Sequence, residues 1–169
     1  GVTRDDKAAG AAREDGFIAG LKNAGITLLE ENKRTSAFTL ESGYEAALDL
    51  LESKCDIDVI SCATDTIAAG AIEAIQTYLK KQVPANAADA GARMRYILEN
   101  TSIRVTGFGD NQMLKAVTGG IPTIHFGYKT SGIRGAELLL DSIERGEQIP
   151  IEMKLGFRLV GTDLSGSEN

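Results

Sequence analysis

Asp58 to Tyr78, DVISCATDTIAAGAIEAIQTY, is the stretch whose reading decides the fold. Val59, Ile60, Ser61, Cys62 and Ala63 are apolar but for one Ser, which reads as a short strand buried on both faces. Thr64 and Asp65 break the run with two short polar side chains. Ile67, Ala71, Ala74, Ile75 and Tyr78 then recur at i, i+4, i+7, i+8 and i+11, the spacing of one helix face. The order is strand, polar elbow, helix. In an open parallel sheet such an elbow lies at a strand's carboxyl end, along the crevice where ligands bind. Thr64 and Asp65 equally suit the cap position of the helix, where a side-chain oxygen accepts an otherwise orphaned N–H. A cap alone and a cap that also faces a ligand both account for them.

Toward the amino end, Thr3-Arg4-Asp5-Asp6 has the hydroxyl-to-acid spacing of a capping box, opening a helix that runs to about Asn23 and closes at Ala24-Gly25-Ile26. Arg13, Phe17, Leu21 and Ala24 share one face of it. An arginine at the head of a core-facing stripe must be paired or face a polar cavity, so Arg13 either bonds an acid such as Asp5 or Asp6 or reaches a ligand. Ile26 to Leu29 is a short strand candidate. Phe38 stands alone before the stripe Leu40, Tyr44, Ala47, Leu48 and Leu51; it is either a staple packed on that helix or an aromatic wall for a sugar or base.

Toward the carboxyl end, Val83-Pro84-Ala85 marks a break and Ala87 to Asn100 carries a weaker helical pattern, a long crossover. Ile103 to Phe108 is the next strand, ending in Gly109-Asp110-Asn111. Gly107-Phe108-Gly109 is too short for a dinucleotide fingerprint. Gly109 suits a sharp turn, and Asp110 a cap for a helix from Gln112 to Val117. Asp110 thereby shares its sheet edge with Thr64 and Asp65. Gly119-Gly120 ends that helix, Pro122 to Phe126 is a strand candidate, and His125 within it reads as a core or hinge histidine. Ser131 begins a helix with Ile133, Ala136, Leu140 and Ile143 along one face, ending at Glu144-Arg145-Gly146. Met153, Leu155, Phe157 and Leu159 alternate with Lys154, Gly156, Arg158 and Val160 as a period-two strand, and Thr162 to Asn169 is a polar tail.

The 169 residues suffice for one good core or one and a half small lobes, and 43% hydrophobic content with 19 Gly against 3 Pro is the composition of an α/β protein. A net charge of −6 argues against this stretch holding a phosphate backbone itself. No apolar run approaches the roughly 20 residues that span a bilayer. Cys55, Cys62 and the single His125 do not make a zinc site, and two cysteines in apolar surroundings read as reduced core residues. No acid pair and no nucleophile with a base and an orienting group supports catalysis. Gly1-Val2-Thr3 has no initiator Met and reads like the loop after a strand, so the chain is expected to start part-way through a larger protein.

Six segments, in order, resemble the effector-binding core of the LacI/GalR family of bacterial transcription repressors, whose fold is shared with periplasmic sugar-binding proteins. They are Gly1 to Phe17 with its R-x-x-G-F pattern, Phe38, Ser42-Gly43-Tyr44, Ala63-Thr64-Asp65 through Gly70-Ala71, Val105 to Asp110, and Thr123-Ile124-His125. GFGDN and TIHFGY look closest to the sucrose and trehalose operon repressors. The resemblance implies an open parallel sheet flanked by helices, an incomplete two-lobed periplasmic-binding-protein-like domain. In that scheme residues 1–126 are the carboxyl-terminal lobe, 127–150 a helix of the other lobe, 151–164 a returning strand and 165–169 a tail.

By the same resemblance Arg13 matches the arginine that reaches the ligand's polar groups, Phe38 the aromatic wall, and Tyr128 an aromatic near the hinge. Thr64 stands where many relatives carry Asn, and with Asp65 and Asp110 it is expected to supply polar contacts. Gly109 takes the place of an aspartate common in relatives, and the acid comes one position later. The connection from Val83 to Ser102 is longer than usual. The resemblance further implies a small-molecule sugar effector and no cofactor, operator DNA bound through an amino-terminal helix-turn-helix outside this chain, no membrane, a homodimer and a cytoplasmic setting. A periplasmic sugar-binding protein of a transporter is the alternative.

Overall fold

A computed structural model of the chain describes residues 9–53, 56–80, 83, 89–146 and 150–161. The capping box at Thr3 to Asp6, Cys55, Pro84-Ala85 and the tail from Thr162 lie outside the described residues. The elements run α1 (Ala9–Asn23), a 3-10 turn (Glu30–Asn32), α2 (Leu40–Glu52), β1 (Val59–Ser61), α3 (Asp65–Tyr78), α4 (Ala90–Glu99), β2 (Arg104–Thr106), α5 (Gln112–Thr118), β3 (Thr123–Phe126), α6 (Tyr128–Arg145) and β4 (Phe157–Val160).

β1 and β2 pair in parallel, with Val59, Ile60 and Ser61 opposite Arg104, Val105 and Thr106. Beyond the ladder the parallel pattern continues through the elbows. Cys62 N–H donates to the Thr106 carbonyl (3.0 Å), Asp65 N–H to Phe108 (3.2 Å), Gly107 N–H to Pro122 (2.8 Å) and Gly109 N–H to Ile124 (2.9 Å). The chain leaving β2 is thus laced between the chain leaving β1 and β3, which brings three strand ends to one edge. β4 departs from the parallel expectation: it returns antiparallel to β3.

α3 is the centre of the core. Ile67, Ala68, Ala71, Ile72, Ala74 and Ile75 are all 1% exposed or less, so burial extends beyond the single stripe to Ile72, while Tyr78 is 42% exposed. Each buried isoleucine contributes at most ~2–3 kcal/mol relative to an exposed one. The alanines and glycines let α2 come very close. A Cβ on Gly70 would lie 2.2 Å from the Leu40 carbonyl oxygen, and one on Gly43 2.7 Å from that of Ile67. Thr64 caps α3, its hydroxyl oxygen accepting the Ile67 N–H at 3.2 Å.

Several expectations are corrected. Val59 is 53% exposed against 2% for Ile60, so β1 does not bury both faces; the apolar Val59 on its open side conceals this in the sequence. Ile26 to Leu29 joins no ladder among the described residues, and Ile26 and Leu29 are over half exposed. The strand expected from Met153 is confined to Phe157–Val160 because its partner β3 is four residues long, Phe126 pairing with Phe157 and Thr123 with Val160. α6 begins at Tyr128 rather than Ser131, whose hydroxyl donates back to the Tyr128 carbonyl. α5 is capped not by Asp110 but by Asn111, whose side chain accepts the Leu114 N–H at 3.0 Å. Phe38 precedes the α2 cap Thr39, but the position four residues into that helix, where a staple would find its apolar partner, is Gly43.

Candidate functional site

The polar and aromatic side chains at the carboxyl ends of β1, β2 and β3 form one connected rim. Arg13, on α1, donates from Nη1 to the Ala63 carbonyl at 2.9 Å, and its guanidinium carbon lies 4.1 Å from the centre of the Phe108 ring. Among the described residues the charge thus rests on an aromatic face and not on an acid, and one of its five N–H donors is engaged there. The alternative partners Asp5 and Asp6 lie outside the described residues. Phe108 packs on Phe126 (4.7 Å between centroids), and Phe126 meets the edge of Tyr128 at 5.9 Å. The Tyr128 hydroxyl donates to the Gly109 carbonyl at 3.1 Å.

Asp65 ties the three corners together. It is 3% exposed, and both carboxylate oxygens are engaged: Oδ1 accepts from the Thr123 hydroxyl (2.7 Å) and Oδ2 from the Asn111 N–H (2.5 Å). Thr123 Oγ1 in turn accepts the Asp110 N–H at 3.3 Å. Gly107 makes room for this knot, since a Cβ there would lie 2.0 Å from Asp65 Oδ1. Asp65→Asn turns one of these acceptors into an amide N–H₂ facing a donor. It is expected to cost ~2 kcal/mol of stability, read as a lowered urea midpoint with unchanged slope.

Asp110 N–H is held by Thr123, and its carboxylate Oδ2 lies 2.7 Å from His125 Nδ1. His125 also meets Tyr128 edge-on, at 5.8 Å and 82°. A recess of about 40 Å³ beside Asp65, Asp110 and Thr123, closed by Leu114, Ile121 and Val160, is room for little more than water. A sugar-sized ligand would lie on the open rim. Burial pushes the Cys62 thiol up to about 11, which makes it a poor nucleophile. Among the described residues no three His, Cys, Asp or Glu side chains gather as metal ligands.

Of the six residues singled out from sequence, Arg13, Asp65, Asp110 and Tyr128 enter the rim network directly. Thr64 sits between Ala63 and Asp65 with its oxygen spent on the α3 cap. Phe38 is 40% exposed just before α2, whose first turn abuts Gly70 in the second turn of α3. Phe108, Thr123, Asn111, Phe126 and His125 are the members that residue-by-residue reading passed over as partners. The available signal was that Asp110 follows one strand and His125 lies within the next.

Comparison with known proteins places these features in a family. The family described as "Periplasmic binding proteins and sugar binding domain of LacI family" matches residues 3–155. A transcriptional repressor PurR from Erwinia tasmaniensis is 30% identical over 85% of this chain and 38% of its own length, and one from Yersinia enterocolitica 28% over 89% and 39%. The chain therefore spans about two-fifths of these relatives. Among solved structures, a transcriptional regulator CelR–cellobiose complex superposes with TM-score 0.74 at 22% identity, covering 94% of this chain and 43% of that one. The curated relatives carry the name PurR, so they lend no support to the narrower likeness to sucrose and trehalose operon repressors. No helix of the described residues is long and apolar enough to cross a membrane. With the family's description covering nearly the whole sequence and its fold reproduced in space, this chain belongs to the periplasmic-binding-protein and LacI-type sugar-binding domain family.

Proposed function

We propose that the chain is the effector-binding portion of a LacI-type transcriptional regulator of carbohydrate-utilisation genes, supplying one wall of a clamp that closes on a small saccharide. It carries out no chemistry. The effector acts by binding two clamp states with different affinity, and the difference is what reaches the DNA-binding heads. The observation that carries this reading is Arg13 lying across the Phe108 face at the end of β1, held there by the Ala63 carbonyl. A guanidinium beside aromatic faces matches neighbouring hydroxyls on the polar side of a sugar ring and its C–H face on the other. Tyr128 and the Asp110–His125 pair extend the same rim, Thr64 adjoins it through Asp65, and Phe38 is assigned to the ligand's aromatic wall only by family resemblance. The cellobiose complex of the superposing regulator fits this choice of ligand class.

In this reading operator DNA is bound through a helix-turn-helix outside this chain, the working unit is a cytoplasmic homodimer, and α6 belongs to the other lobe while β4 is the strand that returns along β3. α6 has no buried residue among those described, as expected of a helix whose packing partners lie elsewhere. The test is calorimetry of the complete protein against neutral mono- and disaccharides, with operator binding followed in parallel. Micromolar affinity for one saccharide that also changes operator affinity supports the proposal; no saccharide binding overturns it. The family's description also covers periplasmic binding proteins. A signal peptide encoded upstream in place of a helix-turn-helix would select that reading.

A further inference from the structure

We propose that His125 recognises a hydroxyl of a neutral saccharide at the rim and that Asp110 is the residue that positions it. The inference rests on the reading of the rim as an effector site and names the side chain that selects the effector's chemistry.

Asp110 has φ +52°, a left-handed conformation that non-glycine side chains rarely adopt, and Gly109 before it has φ +129°. The twist is held from outside. Gly109 N–H is bonded to Ile124, Asp110 N–H to Thr123, and Asn111 N–H to Asp65. An unfavourable backbone fixed by three consecutive bonds to two neighbouring corners calls for a reason. Its consequence is a carboxylate 6% exposed, set 2.7 Å from Nδ1 of an imidazole that is 29% exposed.

A carboxylate only accepts, so the neutral ring carries its proton on Nδ1 and presents Nε2 as an acceptor. Tyr128 bears edge-on against the same ring, and its hydroxyl is anchored on Gly109, the residue before Asp110. Position, tautomer and ring plane are therefore all set for a single half-open imidazole. A purely structural histidine needs only its one buried partner. Arg13 brings donors and no acceptor, and His125 Nε2 supplies the acceptor. A hydroxyl both donates and accepts, so a ring carrying several hydroxyls satisfies both residues. A phosphate, which brings acceptors only, satisfies Arg13 but confronts Nε2 with another acceptor.

The experiment is calorimetry on the complete protein with the tightest-binding neutral disaccharide of the panel, its monodeoxy analogues and its 6-phosphate. His125→Ala is expected to weaken the parent sugar about tenfold. Asp110→Asn suits the left-handed backbone better than Asp, but its amide can accept from or donate to Nδ1, so the ring's tautomer is no longer set. It should weaken the sugar, by less than His125→Ala does, with an unchanged melting temperature. The deciding reading is a protein–ligand cycle: the monodeoxy sugar that loses about tenfold against the natural protein should lose less than about twofold against His125→Ala. Equal deoxy penalties in both proteins, undiminished binding to His125→Ala, or preference for the 6-phosphate overturns the inference. Arg13→Ala separates the two levels. If it abolishes binding while His125→Ala does not, the rim reading stands and this inference falls; if neither variant changes binding, both fall.

Discussion

Arg13→Ala is expected to weaken effector binding about a hundredfold, the ~3 kcal/mol of two charge-assisted hydrogen bonds, while the protein stays folded. The fold tolerates the change because Arg13 is half-buried at the edge, not in the core. It holds the Ala63 carbonyl at 2.9 Å and lies on Phe108, contacts together worth ~1–2 kcal/mol. Under the proposed function the binding is expected not to tolerate it, because the lost donors are the charged ones assigned to the effector. Arg13→Lys should recover little, since an ammonium keeps the charge but loses the planar fork and the stacking on Phe108. The check is calorimetry on the purified variants beside their melting curves. Saccharide affinity equal to that of the natural protein would remove Arg13 from the site.

Gly70→Ala is expected to cost ~3 kcal/mol or more in stability, the upper range for overpacking a core. The added methyl would lie 2.2 Å from the Leu40 carbonyl oxygen and 2.5 Å from the Tyr44 nitrogen, backbone atoms that cannot swing aside. α2 and α3 must separate, and with them the alanine-lined core. The matched control is Gly20→Ala in α1, where nothing lies within 4 Å of the added carbon. There the gain in helix propensity should stabilise by up to ~1 kcal/mol. Urea titration of both variants reads the contrast, and equal midpoints would contradict the close crossing of α2 and α3.

The elements set by local chemistry were legible before any coordinates. Thr64 at a cap, Gly25, Gly119 and Gly146 at helix ends, and the apolar spacing of α2 and α3 are signals that neighbouring residues carry by themselves. What depends on a partner was not. The extent of β4 is limited by β3, and Ile26 to Leu29 has strand-forming residues but no ladder among those described. α3 is buried more fully than one stripe predicts because neighbouring elements surround it, a fact its own spacing does not contain.

The rim shows the same division. Asp65 was legible as a polar residue at a strand end, but its engagement with Thr123 and Asn111 spans 58 and 46 positions of sequence. His125 read as a core or hinge residue because its strand is apolar; the acid it pairs with arrives from beyond the end of β2. The positive φ values at Gly109 and Asp110, which set where that acid lies, are likewise not carried by the spacing of the sequence.

The most direct test is a crystal structure of the complete protein with its tightest-binding saccharide. The account predicts sugar density on the rim, with Arg13 within hydrogen-bond distance of ring hydroxyls and an aromatic face against the ring. Sugar density on another surface, with Arg13 still resting only on Ala63 and Phe108, would contradict it.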